Sequence, residues 1–254
     1  MLNIIALTLF PEMFDAVTAY GITGKALKSG LFSFSALNLR DFSVNRRGDV
    51  DDRPFGGGPG MVIRPEPVYA AVLEAKSRIP APAWVVYLTP QGKKLNNEGV
   101  LSLLSKENLV FLCGRYEGVD ERAIGLVVDE EISIGDYVLS GGELPAMVLI
   151  DTLVRWLPTA LGHPESTAQD SFASGLLDCP HYTRPEVFMG LSVPDVLLSG
   201  NHKAIELWRK KEAFDRTLLR RPDLVSASCS LVSDPPHCWI GKEQAKKKVD
   251  ELFI

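Results

Sequence analysis

The sequence predicts an α/β fold with a mostly parallel sheet covered by helices on both faces, followed by a small helical domain. Short apolar runs alternate with helical patterns through the first two-thirds of the 254 residues. From Asn201 the pattern is strongly helical instead. The polar, proline-containing stretch between them, GHPESTAQDS at 162–171, indicates a linker. We therefore expect an α/β domain at 1–161, a flexible linker at 162–175 and a helical domain at 176–254.

Five apolar runs bounded by turn residues predict the strands of the sheet. In chain order they are LNIIALTLF (2–10), LFSFSALNL (31–39), WVVYLT (84–89), LVFLC (109–113) and LVVDEEIS (126–133).

Helices are predicted between these strands. Pro11 suits the first turn of a helix. Four residues spaced i, i+3, i+4 and i+7 predict a helix after a glycine-rich loop: Val68, Ala71, Val72 and Ala75. Leu101 and Leu104 indicate a further helix. A longer apolar helix is expected from Glu143 to Leu161, opened by Pro145 at its first position.

The helix predicted over residues 201–221 has uneven charge. Seven bases and three acids give this stretch 7 − 3 = +4, whereas the whole chain carries −5. One side of the helical wheel is apolar apart from Lys211 and comprises Ala204, Leu207, Trp208, Phe214, Leu218 and Leu219. The opposite side carries Arg209, Arg216 and Arg220. A solvated helix face is the alternative interpretation of this basic side.

Composition limits the class of protein. With 46% hydrophobic and 23% charged residues, the chain is typical of a globular protein that needs no disulfide or metal for stability. No run of 18 apolar residues is present, so we expect no membrane span. The first residues lack a signal-peptide pattern, which favours the cytoplasm. The negative net charge argues against polyanion binding over the whole surface, but allows a local basic patch.

The cysteines do not predict a metal site. None of the four shares a C-x-x-C spacing, and the fragments Cys179-Pro180-His181 and His237-Cys238 do not complete a set of four ligands. We expect reduced, mostly buried thiols and no metal.

Three unusual loops follow predicted strands: TPQGKKL within 88–95, CGRYEGVDER at 113–122 and ISIGDYVLSGGELPAM at 132–147. Ligands of α/β sheets bind in loops at the carboxyl ends of the strands, and glycines let the backbone approach a ligand closely. None of the three matches the two common nucleotide-binding fingerprints. Tight turns without a ligand are the alternative interpretation.

These stretches, together with DDRPFGGGPGM (51–61) and DSFASGLLDCPHYTRPEV (170–187), resemble the signature blocks of the bacterial tRNA (guanine-N1)-methyltransferase family, TrmD. The blocks stand in the family's order over about residues 51–221. The last stretch, 229–254, matches nothing diagnostic, and its role is not indicated.

The resemblance implies a SPOUT-type fold with a deep trefoil knot, whose loops hold S-adenosylmethionine in a bent conformation. It implies methylation of N1 of guanosine 37 in tRNA, next to the anticodon. It also implies an obligate homodimer in which each active site uses residues from both chains. The expected partners are therefore tRNA and a second copy of the chain, and no DNA. Whether Mg²⁺ assists stays open.

The residues that match the family's three cofactor loops are the predicted binding set for S-adenosylmethionine. Glu117 is expected to face the ribose hydroxyls or the sulfonium, with an exposed salt bridge as the alternative. The set is Tyr87, Leu88, Thr89, Pro90, Gln91, Gly92, Gly114, Tyr116, Glu117, Gly118, Ser133, Ile134, Gly135, Asp136, Tyr137, Val138, Leu139, Gly141, Gly142 and Pro145.

The glycine-rich stretch resembles the family's substrate loop, where the guanine must leave its stack and enter a pocket. The predicted contacts are Asp51, Arg53, Gly56, Gly57, Gly58, Pro59 and Gly60, with Arg209, Arg216 and Arg220 on the tRNA backbone. A flexible surface loop with Asp–Arg pairing is the alternative.

Two residues match the family's catalytic positions. Asp170 corresponds to the proposed general base that removes the N1 proton, and Arg155 to the cation that stabilises charge at O6. Without the resemblance, Asp170 is a helix N-cap and Arg155 a charge on a helix surface.

Two other functions remain open from the residues. A non-catalytic RNA-binding module with a disused cofactor pocket would explain the arginines but not Asp170, Arg155 and three complete loops. Another SPOUT methyltransferase, acting on rRNA or a ribose hydroxyl, would not need a base at Asp170.

Overall fold

The computed structural model describes residues 1–161, 167 and 170–229. The chain divides into two compact units, Met1–Pro164 and Glu165–Ile254, with the boundary inside the stretch predicted as a linker. Within the described ranges, every helix is too short or too polar to cross a bilayer.

The first unit contains seven strands and six α-helices among its described residues. The strands are β1 (Leu2–Thr8), β2 (Phe32–Asn38), β3 (Asp51–Asp52), β4 (Val62–Ile63), β5 (Trp84–Lys94), β6 (Asn108–Cys113) and β7 (Glu130–Ser133). The helices are α1 (Asp15–Thr18), α2 (Gly21–Lys28), α3 (Pro65–Arg78), α4 (Asn97–Leu104), α5 (Glu121–Val127) and α6 (Glu143–Arg155). Short 3₁₀ helices occupy Pro11–Phe14 and Leu39–Phe42.

Five of these strands form one sheet in the order β2-β1-β6-β5-β7, and every neighbouring pair is parallel. All five carboxyl ends therefore lie at one edge of the sheet, where the loops after β5, β6 and β7 meet. The α/β class and the parallel sheet predicted from the sequence are confirmed.

Neighbouring side chains along the central strands point to opposite faces of the sheet, and each face has its own hydrophobic core. On one face, Ile4 and Phe111 pack with residues of α2, α4 and α6, such as Leu103 and Leu149. On the other face, Ile5, Val110 and Leu112 pack with α3 and α5. β6 is buried on both faces along its whole length. This double burial is what holds the loops after β5, β6 and β7 on a rigid base.

The predicted bounds of β7, α6 and β5 are wrong. The strand expected over 126–133 begins only at Glu130, because Asp120 caps a helix that continues to Val127. Ala123 and Val127, one helical turn apart, bury that helix against the sheet.

The long helix expected to reach Leu161 ends at Arg155. The N–H groups of Trp156 and Leu157 donate to the carbonyls three residues earlier, and not four as in an α-helix. Pro158 follows; it has no N–H to donate, and it disfavours a helical conformation of the residue before it. Pro145 is the third residue of that helix and not the first, since the helix begins at Glu143.

The stretch after Leu88 is assigned to β5 as far as Lys94, although the sequence predicts a loop there. Leu88 and Lys93 both pair with Ile132, so the four residues between them, 89–92, lie outside the register. The predicted loop is thus a four-residue bulge within β5, after which the chain pairs with β7 again.

The second unit is helical with one small hairpin in its described part. β8 (Val187–Phe188) pairs with β9 (Leu191–Ser192), and α7 (Asp195–Leu198), α8 (His202–Arg220) and α9 (Pro222–Cys229) follow. Asn201 caps α8 by accepting a hydrogen bond from the Ala204 N–H at 3.2 Å. The predicted apolar side of α8 is only partly buried, because Leu207 is 41% and Leu219 80% exposed.

Candidate active site

A cavity of about 480 Å³ lies where the loops after β5, β6 and β7 converge, at the carboxyl edge of the sheet. All the predicted cofactor residues except Gly92 and Asp136 line it. The structure therefore brings together three segments that are separated in sequence. Gly92 packs instead against the backbone of Glu131 and Ile132, and Asp136 points outward to an ion pair with Lys94 at 2.9 Å.

Close backbone packing explains the glycines of the pocket. A Cβ on Gly142 would lie 2.7 Å from the Cα of Cys113, and the Gly142 N–H donates to the Gly114 carbonyl at 2.9 Å. A Cβ on Gly114 would lie 2.8 Å from the hydroxyl oxygen of Tyr87. The loops after β6 and β7 therefore touch through their main chains, and Tyr87 fits against them. Burial raises the pKa of Tyr87, so its hydroxyl stays neutral in this wall.

A buried ion pair crosses the base of the pocket. Glu143, the first residue of α6, is fully buried and accepts from Arg115 Nε at 2.9 Å and from Thr8 Oγ1 at 2.8 Å. Arg115 also donates to the Ser140 carbonyl at 3.2 Å and lies 4.6 Å from the Phe10 ring centroid. The pair joins the end of β1, the loop after β6 and the start of α6.

The glycine-rich loop lies against the loop after β6. Its two ends pair as β3 and β4, and its turn contains four glycines with positive φ: Gly56 at 84°, Gly57 at 77°, Gly58 at 115° and Gly60 at 82°. The Glu117 N–H donates to the Met61 carbonyl at 2.9 Å. A Cβ on Gly60 would collide with the Glu117 carboxylate. The predicted substrate loop and a predicted cofactor residue are thus in direct contact.

Asp51 belongs to β3 and is half-buried, whereas Arg53 and the glycines of the turn are exposed, as is Pro59. Phe55 in the same turn is 98% exposed. The loop therefore presents its backbone and an aromatic ring to solvent beside the pocket.

Arg155 lies at the end of α6 that is distant from the pocket. The pocket contains Gly142 and Pro145 at the first turn of this helix, and Arg155 is its last residue. From Pro145 to Arg155 there are 155 − 145 = 10 steps, roughly 15 Å at 1.5 Å each. The structure therefore does not place Arg155 at the pocket of its own chain.

Asp170 belongs to the second unit and begins a series of turns. Its carbonyl accepts from the Ala173 N–H at 3.2 Å, and Ser171 Oγ accepts from the Asp178 N–H at 3.0 Å. Residues 171–174 form turns and no helix, so the alternative interpretation of Asp170 as a helix N-cap is wrong.

The second unit has a cavity of its own, of about 410 Å³. Its polar lining includes Arg184, Arg209 and Glu186, together with His181 and Tyr182. Tyr182 in turn lies 6.3 Å from Trp208, between ring centroids. Arg209 is exposed on α8, as is Arg220, while Arg216 is half-buried.

One group of possible metal ligands occurs among the described residues: Asp178, Cys179 and His181. The Asp178 carboxylate already accepts from the Cys179 N–H at 2.7 Å and contacts His181 Nε2 at 2.8 Å. Burial acts to raise the pKa of Asp178, but these contacts outweigh it and lower that pKa. The three residues thus satisfy one another, and the prediction of no metal stays untested.

Six residues of the pocket wall were missed from the sequence. Arg115, Val119, Glu121, Ile132 and Ser140 stand inside or beside the quoted loops but carry no glycine or match of their own, and Ile124 belongs to α5. Helical spacing in VDERAIGLV would have indicated that Ile124 shares a face with Glu121, since the two are three residues apart.

The fold and the pocket define an α/β protein with a cavity in the loops at the carboxyl ends of parallel strands, where proteins of this class bind their ligands. A family model described as tRNA (Guanine-1)-methyltransferase TrmD matches residues 2–227. The chain belongs to this family, and the predicted family and enzyme class are confirmed.

Several curated relatives named tRNA (guanine-N(1)-)-methyltransferase are similar to this chain. One from Photorhabdus laumondii is 57% identical over 219 residues, which is 86% of this chain and 88% of the relative. One from Escherichia coli O127:H6 is 57% identical over 219 residues, 86% of each chain. One from Pseudomonas putida is 57% identical over 226 residues, 89% of this chain and 90% of the relative.

Proposed function

We propose that this protein transfers the methyl group of S-adenosylmethionine to N1 of guanosine 37 in tRNA, beside the anticodon. The observation that carries the proposal is the cavity formed by the three loops that match the family's cofactor blocks. The tRNA substrate makes the cytoplasm the expected place of action.

The chemistry of the pocket fits this cofactor. Its volume of about 480 Å³ lies within the range of small-molecule sites, roughly 300–1,000 Å³. Leu88, Ile132 and Leu139 supply apolar walls for an adenine ring, and Glu117 and Glu121 supply carboxylates opposite a sulfonium or an ammonium. The bound cofactor would supply an electrophilic methyl group, and the pocket residues would hold and orient it.

Asp170 and Arg155 are the proposed catalytic residues. Guanine N1 carries a proton at neutral pH, so a base must remove this proton as the methyl group is transferred. We assign this role to Asp170. Negative charge develops at O6 during the transfer, and we assign its stabilisation to the Arg155 guanidinium.

The position of Arg155 supports a homodimer with a shared site. Because Arg155 lies roughly 15 Å along α6 from Pro145, the pocket residue nearest to it on that helix, it cannot serve the pocket of its own chain without a large rearrangement. Leu144, Val148, Asp151 and Arg155 follow one another at helical spacing on the incompletely buried side of α6. Leu144 is 45% and Val148 43% exposed. We propose that this side packs against a second copy of the chain and carries Arg155 to the partner's pocket.

The glycine-rich loop is the proposed entry for the flipped guanine. Its exposed backbone and its contact with Glu117 support this assignment, since the base must reach the methyl group at the pocket.

The second unit is the proposed grip on the tRNA backbone, through Arg209, Arg216 and Arg220. The cavity that Arg209 shares with Arg184 and Tyr182 supports RNA binding there, because guanidinium groups suit phosphates and rings suit bases.

We also infer that the loops of the first unit are threaded as a deep trefoil knot, as the SPOUT resemblance implies. The main-chain contacts of Gly142 with Cys113 and of Gly92 with Glu131 support a tightly threaded arrangement.

Mass mapping of modified nucleosides tests the proposal. The protein is incubated with S-adenosylmethionine and an unmodified tRNA transcript, with and without a chelator of Mg²⁺. We expect 1-methylguanosine at position 37 and none in a transcript with adenosine there. Cofactor binding without methylation would support the alternative of a non-catalytic RNA-binding module, and methylation at a ribose would support another SPOUT activity.

A further inference from the structure

The ion pair between Glu143 and Arg115 lies beneath the pocket and belongs to neither of the catalytic roles assigned above. Glu143 is fully buried, and the Arg115 side chain is 17% exposed. Removal of a carboxylate from water is unfavourable unless it is paired and hydrogen-bonded, so a buried pair of this kind needs a reason.

Both oxygens of the Glu143 carboxylate are used. Oε1 accepts from Thr8 Oγ1 at 2.8 Å and Oε2 accepts from Arg115 Nε at 2.9 Å. Glu143 is also the first residue of α6, where unpaired backbone N–H groups favour negative charge. The carboxylate is therefore held by two hydrogen bonds, and its position at the helix start favours its charge.

Arg115 extends the network to the walls of the pocket. Its Nη1 donates to the Ser140 carbonyl at 3.2 Å, and its guanidinium lies over the ring of Phe10. A Cβ on Gly141 would collide with the Arg115 side chain, so the arginine occupies the space that this glycine leaves open. Ser140, Gly141 and Gly142 all line the pocket, as does Arg115 itself.

We propose that Glu143 and Arg115 are positioning residues that fix the loops after β6 and β7 in their binding arrangement before the cofactor arrives. The proposal rests on the function proposed above only in naming the ligand. Preorganised loops bind a ligand more tightly because less conformational freedom is given up on binding. Breaking the pair should therefore loosen residues 114–118 and 140–142 and weaken cofactor binding, while the rest of the fold persists.

Hydrogen exchange of the free protein and calorimetry with S-adenosylmethionine test this together. Glu143→Gln keeps the shape of the side chain but leaves the Arg115 charge unpaired. We expect faster exchange of the two loops and a dissociation constant raised by about tenfold or more. Arg115→Lys keeps a cation but removes the hydrogen bond to Ser140, and we expect a smaller change in the same direction.

Two further variants separate positioning from general loss of stability. Thr8→Val removes the hydrogen bond to Glu143, and also the one that Thr8 Oγ1 accepts from the Phe10 N–H at 2.9 Å, with little change of shape. It provides a second test if Glu143→Gln does not fold. Leu103→Ala, at a buried position of α4, is the control. It should lower the unfolding temperature but leave the hydrogen exchange of the two loops and the cofactor affinity unchanged.

The proposal is overturned if Glu143→Gln and Thr8→Val fold with wild-type loop exchange, or if Leu103→Ala weakens the cofactor as much as they do. Wild-type protein that binds no S-adenosylmethionine would contradict the proposed function instead, and loop exchange would then decide the positioning role alone.

Discussion

Gly57 and Gly60 have similar backbone conformations but different surroundings, which makes them a matched pair. Their φ angles are 77° and 82°, in the left-handed region that side chains with a Cβ disfavour. A Cβ on Gly57 would meet nothing within 4 Å, whereas one on Gly60 would displace Glu117. The same substitution therefore tests conformation alone at one position and contact with the pocket at the other.

We predict that Gly57→Ala and Gly60→Ala each lower the free energy of unfolding by about 1–2 kcal/mol, the cost of a left-handed residue with a Cβ. Only Gly60→Ala should also weaken S-adenosylmethionine binding, because only there does the Glu117 side chain have to move. Chemical denaturation and calorimetry measure the two effects. Equal cofactor affinity in both variants would show that Glu117 does not bind the cofactor.

Asp170→Asn should reduce the rate of single-turnover methylation by at least about 100-fold with saturating tRNA, the usual scale for removal of a general base. Cofactor binding and stability should change little, because Asn keeps the shape of the side chain. Asp195→Asn, at an exposed carboxylate at the start of α7, is the matched control and should keep its rate. A wild-type rate for Asp170→Asn would mean that another group, or solvent, accepts the proton.

At the scale of elements, apolar runs predict the five strands of the sheet, since burial on both faces leaves a recognisable pattern. The run at 126–133 is misassigned because an apolar segment of four or five residues fits a buried helix as well as a strand. The four-residue bulge at 89–92 is not predictable, because register depends on the neighbouring strand. The contact between Gly60 and Glu117 joins distant segments, and only the assembled fold shows it.

The stability that Asp120 gives to the start of α5 depends on pH. Asp120 accepts from the Arg122 N–H at 3.0 Å and pairs with the guanidinium at 2.8 Å, and the arginine's hydrogen bonds lower the pKa of Asp120. Because the pKa of Asp120 is lower in the folded state, its ionised form stabilises the fold at pH values above the unfolded-state pKa of about 3.9. This stabilisation is lost as the pH falls below that value towards the folded-state pKa.

Asp120→Asn keeps a capping oxygen but removes the charge. At pH 7 we expect it to lower the free energy of unfolding by up to about 1 kcal/mol, since Arg122 is largely exposed. The difference from wild type should shrink as the pH drops below about 4. Urea titrations at a series of pH values measure it, and a difference that grows in acid would contradict the assignment.

We predict that the basic side of α8, the proposed grip on the tRNA backbone, makes tRNA binding sensitive to salt. Replacement of Arg209, Arg216 and Arg220 by Gln should weaken tRNA binding and reduce the log–log salt slope by about 0.7–0.9 for each phosphate that is no longer neutralised. Lys203, Lys210 and Lys211, replaced together by Gln, remove the same charge from the same helix and are the control. A salt slope that changes equally in both triple variants would indicate a general effect of charge.

At the scale of the whole molecule, the incompletely buried side of α6, with Leu144 and Val148 exposed, predicts a dimer. Sedimentation should give about twice 27.9 kDa. Val148→Asp should yield inactive monomers, whereas Leu73→Asp, on α3 and 51% exposed, should stay dimeric. A monomeric wild type with full activity would contradict the shared site.

Mixed dimers test which chain supplies Arg155. Ile134→Glu should abolish cofactor binding in its own pocket, and Arg155→Ala should disable catalysis, so each homodimer is inactive. If Arg155 serves the partner's pocket, co-expression of the two should restore activity through one complete site in each mixed dimer. Continued inactivity of the mixed dimers would assign Arg155 to its own chain's pocket.

The strand order also determines when each strand can pair during synthesis on the ribosome. β1 is made before its neighbour β6 and must wait for it, since Asn3 pairs with Asn108, 105 residues later. At a translation rate of roughly 5–20 residues per second, the first strand spends about 5–20 s without this neighbour on the ribosome. Ile4 and Ile5, both destined for the core, are without that cover for the same interval. Newly made chains should therefore depend on early shielding of β1, a demand that the finished enzyme no longer shows.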